Sequence, residues 1–183
     1  MGLDLDSAAA IGAANQEMDN ENNSAWGGYE NRTKYHFTTP EQRHSLWRDF
    51  VTSGSLSDFG SFMHAHQDSH SHEGYGPDVG HWWTEEPDLT QTDPAKADRM
   101  AETSYNWLDA AADRLPSRRT SVVVPWNQVS PFVQRFKRAQ TDDEKRKILK
   151  GMRNFIEKAR RDEQKRRQEE QKNKKKKKQT TSQ

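Results

Sequence analysis

Phe59-Gly60-Ser61-Phe62-Met63-His64-Ala65-His66-Gln67-Asp68-Ser69-His70-Ser71-His72 is the stretch that decides the fold. Phe59, Phe62 and Met63 recur at helical spacing and predict one buried helix face. His64, Asp68 and His72 fall at i, i+4 and i+8, which on a 3.6-residue helix stacks them one turn apart on one side. Two imidazoles and a carboxylate converging from one face form a metal-binding arrangement. With no cysteine in the chain, the donor set suits zinc or another borderline divalent ion at an open site. A solvated His-rich loop is the competing reading, because Ser69, Ser71, Glu73 and Gly74 are poor helix material.

The segments on either side also read as helices. Residues 4–19 are Ala-rich and end in the breaker Asn20 to Asn23. Trp26 to Phe37 reads as irregular. Thr39-Pro40-Glu41-Gln42 is a helix start, with Thr39 capping, Pro40 at the first helical position and Gln42 closing a capping box. Leu46, Trp47, Phe50 and Val51 form its apolar stripe, and Gly54 stops it. The histidine-bearing helix begins near Ser57-Asp58. Gly74, Gly76, Pro77 and Gly80 make a tight loop to His81. Asp93-Pro94 opens a further helix with Met100, Trp107, Leu108, Ala111 and Leu115 at helical spacing, ended by Pro116. Val122 to Val124 reads as a short strand or an extended linker. Thr141-x-x-Glu144 is a second capping box, opening a helix with Ile148, Leu149, Met152, Phe155 and Ile156 on one face. The expectation is an all-α bundle of about five helices around a metal site.

Of 183 residues, 30% are apolar and 31% charged, a poor ratio for a core if spread evenly. They are not spread evenly: all six Trp and all seven Phe lie between Trp26 and Ile156, and apolar residues give out by Arg160. The expected organisation is an N-terminal helix over 1–25, a metal-binding helical domain over 26–159 and a basic tail over 160–183 that passes from helical to disordered. A core of this size is small enough for bound metal to matter to its stability. The absence of cysteine excludes disulfides, thiolate zinc sites and cysteine nucleophiles. No apolar run is long enough to cross a membrane, and Met1-Gly2-Leu3-Asp4-Leu5-Asp6 is not a secretory signal.

The net charge of +1 hides an asymmetry. From Arg160 to Gln183 there are eleven Lys/Arg against four Asp/Glu, a net +7, so residues 1–159 carry −6. Lys174, Lys175, Lys176, Lys177 and Lys178 form an unbroken run that repels itself and is expected to be disordered. It would contact nucleic acid or anionic lipid, or serve only to keep the chain in solution.

Further ligand candidates lie outside the central helix. His81-Trp82-Trp83-Thr84-Glu85 offers a second His-x-x-x-acid pair, which shares one face if helical. His36, between Tyr35 and Phe37, and Asp19, after the first helix, are each either ligands or ordinary polar residues. His44 lies on the polar side of its helix and reads as surface.

The block His-Ala-His-Gln-Asp-Ser-His-Ser-His-Glu-Gly-Tyr at 64–75, then Gly80-His81, then Asp93-Pro94-Ala95-Lys96-Ala97 with Met100-Ala101, resembles a known pattern. It is that of the all-α superfamily of zinc-dependent phospholipase C and single-strand-specific nucleases. The similarity is greatest to domains at the C-terminal ends of bacterial Rhs-repeat, polymorphic-toxin-like proteins. Tyr35 to Pro40 matches the same subgroup, and the resemblance covers about residues 7–112.

The resemblance implies that His64 and Asp68 are the family's His-x-x-x-Asp metal pair and that His72 is the following ligand. It pairs His81 with Glu85 and Asp19 with His36, and makes Asp68 and Glu85 the catalytic carboxylates. It implies one to three ions of zinc or another divalent metal, a phosphodiester substrate (phospholipid or nucleic acid), an immunity protein as cognate partner, and a secreted or delivered toxin, the alternative location being cytoplasmic. In two respects the chain differs from the larger enzymes: it has Met1-Gly2 where they use an N-terminal tryptophan ligand, and its interval from Asp68 to His81 is short. Two functions follow, a metal-dependent phosphodiester hydrolase or a non-catalytic binding domain that metal stabilises.

Overall fold

The computed structural model describes residues 3–20, 23–24, 28–78, 93–115 and 124–180. Among them the chain is all-α, with no strand. The helices are α1 (Leu5–Glu17), α2 (Tyr29–Asn31, continuing as a π-helix over Arg32–His36), α3 (Pro40–Ser53), α4 (Leu56–Ser71), α5 (Pro94–Arg114), α6 (Trp126–Arg138) and α7 (Asp142–Thr180). They fall into two compact units, residues 1–120 and 121–183. Within the first unit α1 packs on α4.

The caps follow the expected chemistry. Asp4 accepts from the Ser7 N–H at 2.7 Å and opens α1. In α3, Thr39 and Gln42 exchange side-chain and backbone hydrogen bonds, Pro40 sits at the start, and Gly54 takes the left-handed φ of 66° that ends the helix. Asp93 accepts from the Lys96 N–H at 2.8 Å to open α5. In the second unit Thr141 and Glu144 form the same reciprocal box at 3.2 Å in each direction.

The core of the first unit is aromatic, built where α3, α4 and α5 meet. Phe50, Phe59 and Phe62 are fully buried. Trp47 lies 5.2 Å from Phe50, 5.3 Å from Phe62 and 4.7 Å from Trp107. Ile11 and Leu3 join from the N-terminal side, and Ala111 and Ala112 from α5. Val51, expected in the stripe of α3, is exposed. α1 comes close to α4 at Gly60, where an added Cβ would clash with the Ala14 Cβ.

Three elements depart from expectation. Tyr29 to His36 is helical where irregular chain was expected. α6 was not anticipated: Pro131 lies inside it and masks the helical signal, yet Phe132 packs on Phe155 of α7 at 5.6 Å. α7 runs as helix to Thr180, through the lysine run expected to be disordered. It is propagated from a packed start by i,i+3 and i,i+4 pairs of Arg153 and Arg161 with Glu157, and of Arg166 and Arg167 with Glu163. The lysines then fall near its carboxyl end, where the helix dipole favours positive charge. Val122, Val123 and Pro116 lie outside the described residues.

Candidate metal centre

Three helices end at one place. α4 closes with His72 as its C-cap, the π-helix ends at His36, and Asp19 follows the end of α1. Carboxyl ends of helices carry partial negative charge and favour a cation. The π-helix itself is a rare geometry that recurs at functional sites. Here the Phe37 N–H donates to the Arg32 carbonyl at 2.7 Å, and the wider turn leaves His36 buried.

Asp68 is the hub. Its Oδ2 lies 2.8 Å from His36 Nδ1, 3.3 Å from His64 Nε2 and 3.4 Å from His72 Nε2. His64 Nε2 is 3.2 Å from His36 Nδ1 and 3.7 Å from Asp19 Oδ1. Asp19, His36 and His64 together lie close enough to hold one metal ion. A tetrahedral ion with bonds of about 2.0–2.1 Å sets its donors roughly 3.3 Å apart, and the separations here bracket that value. All the donors are imidazole nitrogen or carboxylate oxygen, a set that suits borderline divalent ions.

Proton accounting sharpens the fit. His36 Nε2 lies 3.1 Å from the Asn23 carbonyl, which only accepts, so this nitrogen carries hydrogen. Nδ1 then either carries a second proton, given to Asp68, or turns a bare lone pair towards a carboxylate and another imidazole. Asp68 favours the first. Burial, the largest single influence, disfavours the imidazolium, but the hydrogen bond and charge of Asp68, with the Asn23 carbonyl and the charge of Asp19, together outweigh it and raise the His36 pKa. Burial likewise opposes charge on Asp68, and the bonds from His36, His64 and His72 outweigh it, holding the carboxyl well below the usual range. A cation in place of that proton would meet a lone pair already aimed.

The surroundings fix the ligands. Phe37 stacks on His72 with centroids 4.6 Å apart, and His36 meets His64 edge-on at 4.8 Å. Asn15 donates to Gln67 Oε1 at 3.0 Å, tying α1 to α4 beside the site. Arg32 donates to the Pro77 carbonyl at 3.0 Å, joining the π-helix to the loop after His72.

Of the residues expected at the site, Asp19, His36, His64, Asp68 and His72 come together, and His44 is exposed on α3 as expected. His81 and Glu85 lie outside the described residues. Ser69 donates to the His66 carbonyl of its own helix at 2.7 Å. The sequence reading gave no role to His66 and His70, which face Thr103 of α5. Their Nε2 atoms lie 3.0 and 3.3 Å from its hydroxyl. Burial, then the charges of His70 and Arg43, push the His66 pKa down to about 4. The i,i+4 spacing of these two histidines was visible, but it shows only that they share a face.

Comparison with protein families, with curated proteins and with solved structures finds no match to this chain.

Proposed function

We propose that this protein is a metal-dependent phosphodiester hydrolase, with zinc the metal its donors favour. The observation that carries the reading is the single Asp68 oxygen met by three imidazoles, with Asp19 beside them. Asp19, His36, His64 and Asp68 would hold one ion. His72, with His81 and Glu85 of the resemblance, would extend the set to a second. Divalent ions so held would supply hydroxide near neutral pH and charge neutralisation for phosphate oxygens. The protein's own part is positional. Asp68 keeps its negative charge despite burial, His36 gives up its Nδ1 proton, and Phe37 fixes the ring of His72. Asp68 would also accept a hydrogen bond from the attacking water.

The buried, crowded set around His36 and His64 also suits a closed structural ion, the reading in which metal only stabilises a binding domain. One experiment separates the two. Purified protein is loaded with zinc and assayed on bis(p-nitrophenyl) phosphate, single-stranded DNA, RNA and phosphatidylcholine vesicles. Hydrolysis of at least one substrate is expected. It should be abolished by chelator and by His64→Ala, and kept by His44→Ala. Stoichiometric zinc with no hydrolysis of any substrate would leave the structural reading in its place.

A further inference from the structure

The charge on α7 is divided along its length. In its middle, Arg153 and Arg161 pair with Glu157, Arg167 pairs with Glu163, and Arg166 reaches both Glu163 and Glu170. Arg166 and Arg167 together hold the Glu163 carboxyl down to about 2. Beyond Glu170 the pattern stops. Residues 171–180 contain six lysines and no carboxylate, on backbone that is still helical. A partly neutralised rod thus ends in a purely cationic one.

We propose that this end of α7, Lys172 and Lys174 to Lys178, is a nucleic-acid-binding arm that grips the phosphate backbone without reading sequence. Three observations select this partner. A helix rises about 1.5 Å per residue, so this run concentrates positive charge within a short length that a polyanion with roughly one phosphate charge per 1.7 Å, such as duplex DNA, complements. Five consecutive helical positions, about 100° apart, surround the axis and do not form one face. Such an array meets phosphates without presenting a defined edge to the bases. Lastly, residues 160–180 contain no apolar side chain. A helix that lies on a membrane buries an apolar face, and this one has none to bury.

The inference does not rest on the hydrolytic reading, and its test is run in chelator so that cleavage cannot enter. The full chain is titrated against a labelled 20-base-pair DNA duplex at several salt concentrations, and separately against vesicles with phosphatidylserine at equal phosphate. About three neutralised phosphates, from the half of the lysines that can face one duplex, predict an affinity about fortyfold weaker at 200 mM than at 50 mM salt. A variant carrying Lys174→Gln, Lys175→Gln, Lys176→Gln, Lys177→Gln and Lys178→Gln should lose about two units of the log–log salt slope. Its circular dichroism should stay helical. Arg166→Gln with Arg167→Gln is the charge-matched control, expected to change affinity less than threefold because both guanidinium groups are already paired. The proposal is overturned if the five-lysine variant keeps the wild-type slope, if the arginine control loses as much affinity, or if vesicles bind more tightly than duplex.

Discussion

Asp68 concentrates the consequences at the scale of single residues. Asp68→Ala removes the oxygen that three imidazoles share, and His64→Ala removes a donor common to Asp19, His36 and Asp68. Each should lower bound zinc and the zinc-dependent part of the melting temperature together. At zinc a hundredfold above Kd that part is about 2.7 kcal/mol, or on the order of 10 °C for a unit of this size. Unchanged zinc content in both variants would remove these residues from the site. The shared proton on His36 adds a calorimetric expectation. Below the raised pKa of His36, zinc binding should release about one proton, read as a dependence of the binding heat on buffer ionisation enthalpy. Buffer-independent heat would mean that the metal does not displace that proton. His66 gives the matching prediction for pH. Its pKa is about 4 when folded against an ordinary 6.5, so between those values the unfolded chain binds a proton that the folded chain refuses. Stability of the metal-free protein from this group is therefore lost as pH falls through that window. His66→Gln, which can still bond to Thr103, should flatten the decline in melting temperature between pH 6.5 and 4.

Between elements, the critical contact is that of α1 on α4. Gly60 lets the backbone of Ala14 and Asn15 approach, Asn15 then bonds to Gln67, and Asp19 reaches His64 just beyond. Gly60→Ala must push α1 away, since Ala14 Cβ and its backbone stand within about 3 Å of the added carbon. The expected outcome is zinc affinity at least tenfold weaker, with the α3–α4 aromatic packing intact by near-ultraviolet circular dichroism. A conservative change in the same helix, Ser61→Ala, serves as control, because the Ser61 hydroxyl bonds only to the Ser57 carbonyl of its own helix. If both variants bind zinc like wild type, Asp19 is not delivered by this contact.

For the molecule as a whole, the division into residues 1–120 and 121–183 assigns the candidate metal centre to the first unit alone. A fragment ending at Thr120 should therefore fold and take up zinc with the stoichiometry of the full chain, which dialysis followed by elemental analysis would check. A fragment that binds no zinc would show that the second unit supports the site.

The sequence by itself determined most of what depends on spacing along one helix. The caps of α3, α5 and α7 are local exchanges of hydrogen bonds within four residues, and the His64, Asp68 and His72 row follows from the helical repeat. Phe50, Phe59 and Phe62 declare the core in the same way. The tertiary structure alone decided what comes from different elements. Asp19 and His36 were named as candidates with equal alternatives, and only the docking of α1 and the π-helix onto α4 brings them to His64. The π-helix itself, the Asn23 carbonyl that fixes the proton of His36 and the Thr103 hydroxyl between His66 and His70 left no periodic trace. The physical reason is that a hydrogen bond between residues far apart in sequence depends on where two helices cross. That crossing is set by the packing of small side chains such as Gly60 against Ala14, which carry no chemical signature of the site they align.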